Sequence, residues 1–330
     1  MLRLSNRRLA NTLCHSIKSR WASTKSNNVA YEEALKLIAL DKKERLEMLS
    51  RVEKEVARVT KDSSSPTQTA QLAALNALKF DLQVKAELND PEIRQNFDNK
   101  NNIDMSRPVY RYLTERQFQN LPRKKLLERI TQMNVMPDVV DLDVNPTVDV
   151  KLQFVNHDDI VEPGVYTVPE QSITLPKIEI TNFHTETKLY TLLLVDPDSP
   201  DVVNKTYQQY CHWLITNVPL SATESIVKGG NTVLDYVPPH PQKGTKAHRY
   251  TIIAYEQSKE LKQVDSINRD HFDVKSFAKQ HDLNVRGITF FRQKWDESVS
   301  KIYNEILKTK EPIYGKPPKQ EPYIQRTMYI

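Results

Sequence analysis

The feature that most constrains this chain is a change of hydrophobic period near Val148. From Tyr31 to Val59 the apolar residues Leu35, Ile38, Leu46, Leu49, Val52, Val56 and Val59 recur at three- and four-residue steps between Glu, Lys and Arg, the pattern of an amphipathic helix. "KDSSSPT" (61–67) breaks that pattern, and a second helical run passes through Leu72, Leu75, Leu78 and Leu82 to about Leu88. Asp90 and Pro91 read as an N-cap and first-turn pair opening a third short helix. From Val148 onward the period is two: "VKLQFV", "KIEIT", "KLYTLLLV", "CHWLITNV", "HRYTIIAYE" and "VRGITFFRQ" are short strands separated by Pro, Asn, Asp and Gly. Strands at that density predict a mainly β fold, a β-sandwich. Helices are predicted near its end at 273–281 and 294–307, and a helical extension precedes it.

These changes set the expected organisation: a leader over 1–25, a helical extension over 26–99, a connector over 100–146, a β domain over 147–308 and a tail over 309–330. In the connector, "NKNNIDMSRPVYRYL" reads as extended and "PRKKLLERITQM" as a helix beginning near Pro122. The helical hairpin carries an apolar stripe at a length that does not stand alone, so it needs the rest of the chain or a partner to cover it. The tail, with four prolines and with four basic residues among three tyrosines, is expected to be extended and irregular.

Charge is informative when divided by position. Residues 1–25 hold six basic residues (Arg3, Arg7, Arg8, Lys18, Arg20, Lys25) and no acid, and the first carboxylate is Glu32. An arginine- and serine-containing, acid-free N-terminus has the composition of a mitochondrial presequence, which places the protein in the matrix; the competing reading is a basic arm that binds nucleic acid. Without that segment 41 basic residues face 42 acidic ones, so the remaining chain is close to neutral. The densest apolar run, "LYTLLLV" (189–195), is far short of the roughly 20 residues that cross a bilayer, and reads as a buried strand. Cys14 and Cys211 lack metal-ligand spacing, so neither a disulfide nor a zinc site is expected.

Three separated motifs carry the chemistry. "LLLVDPDSP" (192–200) ends a buried strand with Asp196 and Asp198, "YQQYCHWLITNVP" (207–219) opens one with His212, and "YVPPHPQKGTKAHRY" (236–250) runs into His248 and Arg249. In that order, and with "FDVKSFAKQHDL" and "KWDESVSKIYNEIL" behind them, they resemble the phosphatidylethanolamine-binding protein family over about residues 145–308. The family's signatures are an Asp-Pro-Asp-x-Pro strand end, a His-aromatic strand start, and a Gly-x-Gly-Pro-Pro-x-Gly loop leading into His-Arg-Tyr. The resemblance implies a small pocket for phosphate or a phospholipid headgroup, whose matching positions are Asp196, Tyr207, Tyr210, His212, Tyr236, His248, Tyr250 and Tyr303.

The chain departs from that pattern in the loop, where Pro238 and His240 stand in place of two glycines. A buried anion site costs on the order of 1–3 kcal/mol for each donor it lacks, so phosphate affinity is expected to be poor or absent. No catalytic role is expected. Cys211 and His212 are strand neighbours on opposite faces, His212 and Asp196 are expected to form a hydrogen-bonded structural pair at a sheet edge, and two such groups are too few to hold a metal. No cofactor is implied.

The leader and the long helical extension further resemble the branch of the family found in the mitochondrial large ribosomal subunit. That resemblance implies a structural role in the central protuberance, with ribosomal proteins and ribosomal RNA as partners. Candidate RNA contacts are Arg123, Lys124 and Lys125, and in the tail Lys316, Lys319 and Arg326. The alternative within the same fold is a soluble mitochondrial protein that binds phospholipid headgroups or regulates a partner.

Overall fold

A computed structural model describes residues 28–61, 66–101, 103–155, 159–262 and 267–315. The expected presequence and the tail positions Lys316, Lys319 and Arg326 lie outside the described residues. The chain divides into two compact units, Met1–Tyr112 and Leu113–Ile330.

In the first unit, helix α1 (Val29–Lys61) and helix α2 (Pro66–Glu87) form an antiparallel hairpin. Ion pairs Lys79–Glu53 (3.0 Å) and Lys42–Asp90 (3.4 Å) mark its register. At 3.6 residues per turn, Ile38, Leu49, Val52, Val56 and Val59 share one face of α1, and all are half-buried or buried. Leu37, Leu40 and Met48 lie outside that stripe, on one side of it, and are 67%, 58% and 46% exposed. Leu35 and Leu46, expected within the stripe, sit at its flank and are exposed. Helix α3 (Pro91–Asp98) starts as its sequence predicts: Asp90 accepts from the Glu92 backbone N–H, and Pro91 occupies the first turn.

The connector departs from expectation. Helix α4 (Pro108–Asn120) occupies a stretch read as extended. Pro108 opens this helix rather than breaking one, because a first-turn residue has no intrahelical use for the N–H that proline lacks. The Asp104 carboxylate accepts from the Ser106 N–H and hydroxyl, and Arg111 reaches back to the carbonyls of Met105 and Ser106, which fixes the turn before it.

In the second unit, helix α5 (Pro122–Gln132) begins at the predicted proline, and a short turn, α6 (Val135–Asp138), follows. Strands β1 (Asp149–Gln153) and β2 (Lys177–Thr181) pair as a two-stranded sheet. Strands β3 (Lys188–Asp201), β4 (Thr206–Leu220), β5 (Asn231–Leu234), β6 (His248–Gln257) and β7 (Leu283–Gln293) form an antiparallel sheet in the order β5-β4-β3-β6-β7. Successive side chains point to opposite faces of a strand, so Leu192 and Leu194 enter one core and Leu193 and Val195 another. The first core packs the large sheet on β1 and β2, through Val150, Leu152, Ile178 and Ile180. The second packs it on α5, α6 and helix α7 (Val274–Gln280), through Leu126, Ile130, Val274 and Phe277. Both faces of β3 are therefore dry, which is why its sequence is continuously apolar instead of alternating. At Gly287 of β7 an added Cβ would lie 2.5 Å from a Val150 methyl, so this close approach of β1 and β7 requires glycine.

The predicted final helix is shorter than expected. Helix α8 (Glu297–Lys301) begins only after the Asp296 cap and widens into a π-type turn, Ile302–Leu307. Beyond it the chain is extended where described: Ile313 bridges Lys243, and the Tyr314 N–H donates to the Lys243 carbonyl (2.8 Å). Gly244 has φ +89°, and a Cβ there would collide with the Tyr314 carbonyl.

Candidate functional site

The ends of β3, β4 and β6 bring Asp196, His212, His248 and Tyr250 to one end of the large sheet, all buried. Asp196 does not pair with His212. Its Oδ2 lies 2.7 Å from His248 Nδ1, and its Oδ1 accepts from the Asp198 N–H. The reason is register. Leu194 faces Trp213 and Val195 faces Cys211, so a bulge leaves His212 without an opposite residue and turns it toward the 236–240 loop. There its Nδ1 donates to the Val237 carbonyl (2.9 Å). Nor is the site at a sheet edge, since β3 is the central strand.

His248 is held at both ring nitrogens. The Thr245 hydroxyl donates to the Gln242 carbonyl (2.7 Å) and so accepts from His248 Nε2 (2.8 Å), while Nδ1 donates to Asp196. Two donated protons describe an imidazolium. Burial alone pushes this group down, but the Asp196 charge and hydrogen bond, with Asp198 behind them, outweigh it and raise it above the ordinary histidine value. His212 and His240 behave oppositely. Burial, reinforced at His212 by the neighbouring His240, holds both below the ordinary value and keeps them neutral.

The loop does more than lose donors. His240, one of the residues in a glycine position, is itself buried, and its Nδ1 donates to the Pro238 carbonyl (2.7 Å). Its ring stands edge-on among Tyr210 (5.5 Å), His212 (5.0 Å) and Tyr303 (5.3 Å) between centroids. Tyr250 lies 5.3 Å from His212 and stacks on Phe291. The rings of the expected site thus surround a side chain of the same protein. Tyr236 is tied away through its hydroxyl to the Ser172 carbonyl (2.6 Å). Tyr250 keeps a buried hydroxyl with no hydrogen-bond partner among the described residues, and burial raises its ionisation far above the ordinary phenol value.

Tyr207 is not part of the constellation: it is 60% exposed and pairs across the ladder with Pro200. Cys211 lies in the opposite core, with its thiol pushed up to about 12 by burial, so it forms no dyad with His212. Asp198, unassigned by sequence reasoning, clamps Arg249 with bonds of 2.7 and 2.8 Å from its guanidinium. Arg249 also reaches Asp138 (2.8 Å) and the carbonyls of Met133 and Asn134, joining β3 and β6 to α6. Arg123 bonds the side chain of Asn145, and Lys124 and Lys125 are exposed in the first turn of α5.

The family model for phosphatidylethanolamine-binding protein matches residues 151–291. The large ribosomal subunit protein mL38 of Schizosaccharomyces pombe is 28% identical over 219 residues, 65% of this chain and 71% of that protein. A putative odorant-binding protein A5 of Drosophila melanogaster is 33% identical over 193 residues, covering 56% of this chain and 84% of that one. Among solved structures, the phosphatidylethanolamine-binding protein from Plasmodium vivax superposes with a TM-score of 0.43 at 21% identity, covering 52% of this chain and 97% of that chain.

Proposed function

The chain belongs to the phosphatidylethanolamine-binding protein family, and from that premise we propose that it serves as a structural constituent of the mitochondrial large ribosomal subunit, in the central protuberance, supporting mitochondrial translation. The observation that carries this reading is the position of His240. A family member that works by binding a headgroup needs an open pocket lined with donors, whereas here the loop replaces donors with prolines and inserts its own ring. What remains is a module whose pocket is filled by its own side chain, suited to being held in an assembly. The similarity to mL38 supports a place in that assembly, and the exposed Leu37, Leu40 and Met48 of α1 supply an apolar surface for a neighbouring protein. Exposed Lys124 and Lys125 are offered to RNA from a helix N-terminus, where positive charge gains nothing for the fold. The acid-free N-terminal segment supports delivery to the matrix.

One observation favours the headgroup-binding alternative. The Tyr250 hydroxyl is buried without a partner, and a ligand oxygen would satisfy it. Such a ligand would first have to displace the His240 ring.

Sedimentation of solubilised mitochondria through a sucrose gradient, with detection of this chain, tests the proposal. Co-migration with large subunits that survives a salt wash is expected. A chain confined to the soluble fractions, together with micromolar phosphoethanolamine binding by calorimetry, would transfer the assignment to the alternative.

A further inference from the structure

The strands β6 and β7, paired so that His248 faces Gln293, bring together at their ends a second, open cleft of about 750 Å³. It is lined by Tyr166, Lys246, Arg292, Lys294 and Trp295, together with Arg249 and the Gly244–Ala247 turn, and no carboxylate is among its lining residues. Lys243 lies over the Trp295 ring at 4.2 Å. The Tyr166 ring carries Arg292 at 3.9 Å and Lys294 at 5.0 Å. Lys243, Lys246 and Lys294 are exposed, and neither they nor Arg292 form an ion pair among the described residues.

The neighbouring acids hold other partners. Asp198 and Asp138 are engaged by Arg249, and Glu311 is bound by the Trp295 indole N–H (2.6 Å) and the Ser300 hydroxyl (2.7 Å). Arg292 is further fixed by its Nε bond to the Gly164 carbonyl (2.8 Å). Aromatic rings that carry cations hold them in place without neutralising them, so less side-chain freedom is lost when an anion arrives.

We propose that this cleft, framed by Lys243, Lys246, Arg292 and Lys294 on Tyr166 and Trp295, is a binding site for the phosphodiester backbone of RNA. Four cations without an ion pair among the described residues, spread along an open cleft, fit a run of phosphates better than one phosphate group, which a closed pocket would enclose. The ring faces are taken by cations, so the site reads backbone and not base identity. The choice of RNA over another polyanion rests on the ribosomal reading above. The cleft is separate from the pocket filled by His240.

The test uses the full chain and a short, single-stranded, fluorescein-labelled RNA of mixed sequence, followed by anisotropy from about 50 to about 200 mM salt. In the variant Lys243→Gln, Lys246→Gln, Lys294→Gln the slope of log affinity against log salt is expected to be shallower by about 2, so that wild type loses about 20-fold more affinity over this range. A control with the same charge removed elsewhere, Lys177→Gln, Lys259→Gln, Lys262→Gln, is expected to keep the wild-type slope, and both variants should melt like wild type. Equal slopes for wild type and the cleft variant, or equal losses in the two variants, would overturn the proposal. Binding to phosphatidylserine vesicles that depends on the cleft lysines, with RNA slopes unchanged, would overturn it in favour of a lipid surface. If the chain fails to sediment with large subunits while the slope difference persists, the ribosomal reading falls and the cleft's chemistry stands.

Discussion

The two units of this chain treat their chemistry in opposite ways. In the second unit, groups that could serve a ligand are turned on one another: Asp196 holds His248, Asp198 holds Arg249, and His240 fills the space between Tyr210, His212 and Tyr303. In the first, apolar groups that could build a core are left exposed, with Leu37, Leu40 and Met48 beside the packed stripe of α1. A fold can lose an ancestral binding site by satisfying it internally, and gain a new one by leaving a surface unsatisfied. Four substitution and titration experiments separate these two regimes.

The largest effect is expected at the sealed pocket. Asp196→Ala leaves a buried imidazolium without its counter-charge, and breaking such a pair costs about 3–5 kcal/mol. Urea denaturation would register this as a fall in midpoint. A loss below about 1 kcal/mol would show that His248 is neutral and that its contact with Asp196 is an ordinary hydrogen bond.

Next in size is Leu193→Ala in the fully buried layer between sheet and helices, at about 2–5 kcal/mol by transfer and cavity terms. It is to be measured in the same way. A small loss would mean that the helix-side core collapses around the cavity.

The pH dependence sharpens the contrast among the histidines. His212 and His240 are depressed in the folded chain, so the stability they contribute is present above about pH 6.5 and is lost as pH falls below it, at about 1.4 kcal/mol per pH unit for each proton. His248 is raised, so its contribution is complete below its unfolded value and is lost as pH rises through its folded value. The acid limb below about pH 6.5 therefore belongs to His212 and His240, with His184, which burial also lowers, adding to it, and His240→Gly should make that limb shallower. Unchanged slope in that variant would mean that His240 is already protonated in the folded state.

The smallest effect on stability belongs to the helical unit. Leu37→Gln, Leu40→Gln and Met48→Gln are each expected to change the stability of the isolated chain by no more than about 0.5 kcal/mol, because these side chains are exposed. Losses of several kcal/mol in a thermal melt would show that this face is covered within the chain.

Much of this was legible in the sequence, for identifiable reasons. The change of period located the hairpin and the strands, because both depend on local spacing. Tyr210 and His212 are two apart on β4 and share a face, whereas Tyr207 is three from Tyr210, so its exposure could have been read from parity. The partner of Asp196 could not, because it depends on a bulge in the β3–β4 register. The loop's prolines announced the loss of donors, but the placement of the His240 ring depends on where β4, β6 and the final helical turn converge. The basic cleft was invisible for the same reason, since Tyr166, Lys246 and Lys294 meet only through tertiary pairing.

The most direct test of the central claim compares two variants in one gradient: Leu37→Gln, Leu40→Gln, Met48→Gln on the helical face, and His240→Gly in the pocket. Each is expressed in mitochondria and sedimented after a salt wash. The account predicts that the helical variant leaves the large-subunit fractions while the pocket variant stays with them. A helical variant that remains bound, or a pocket variant that is released although still folded, would contradict it.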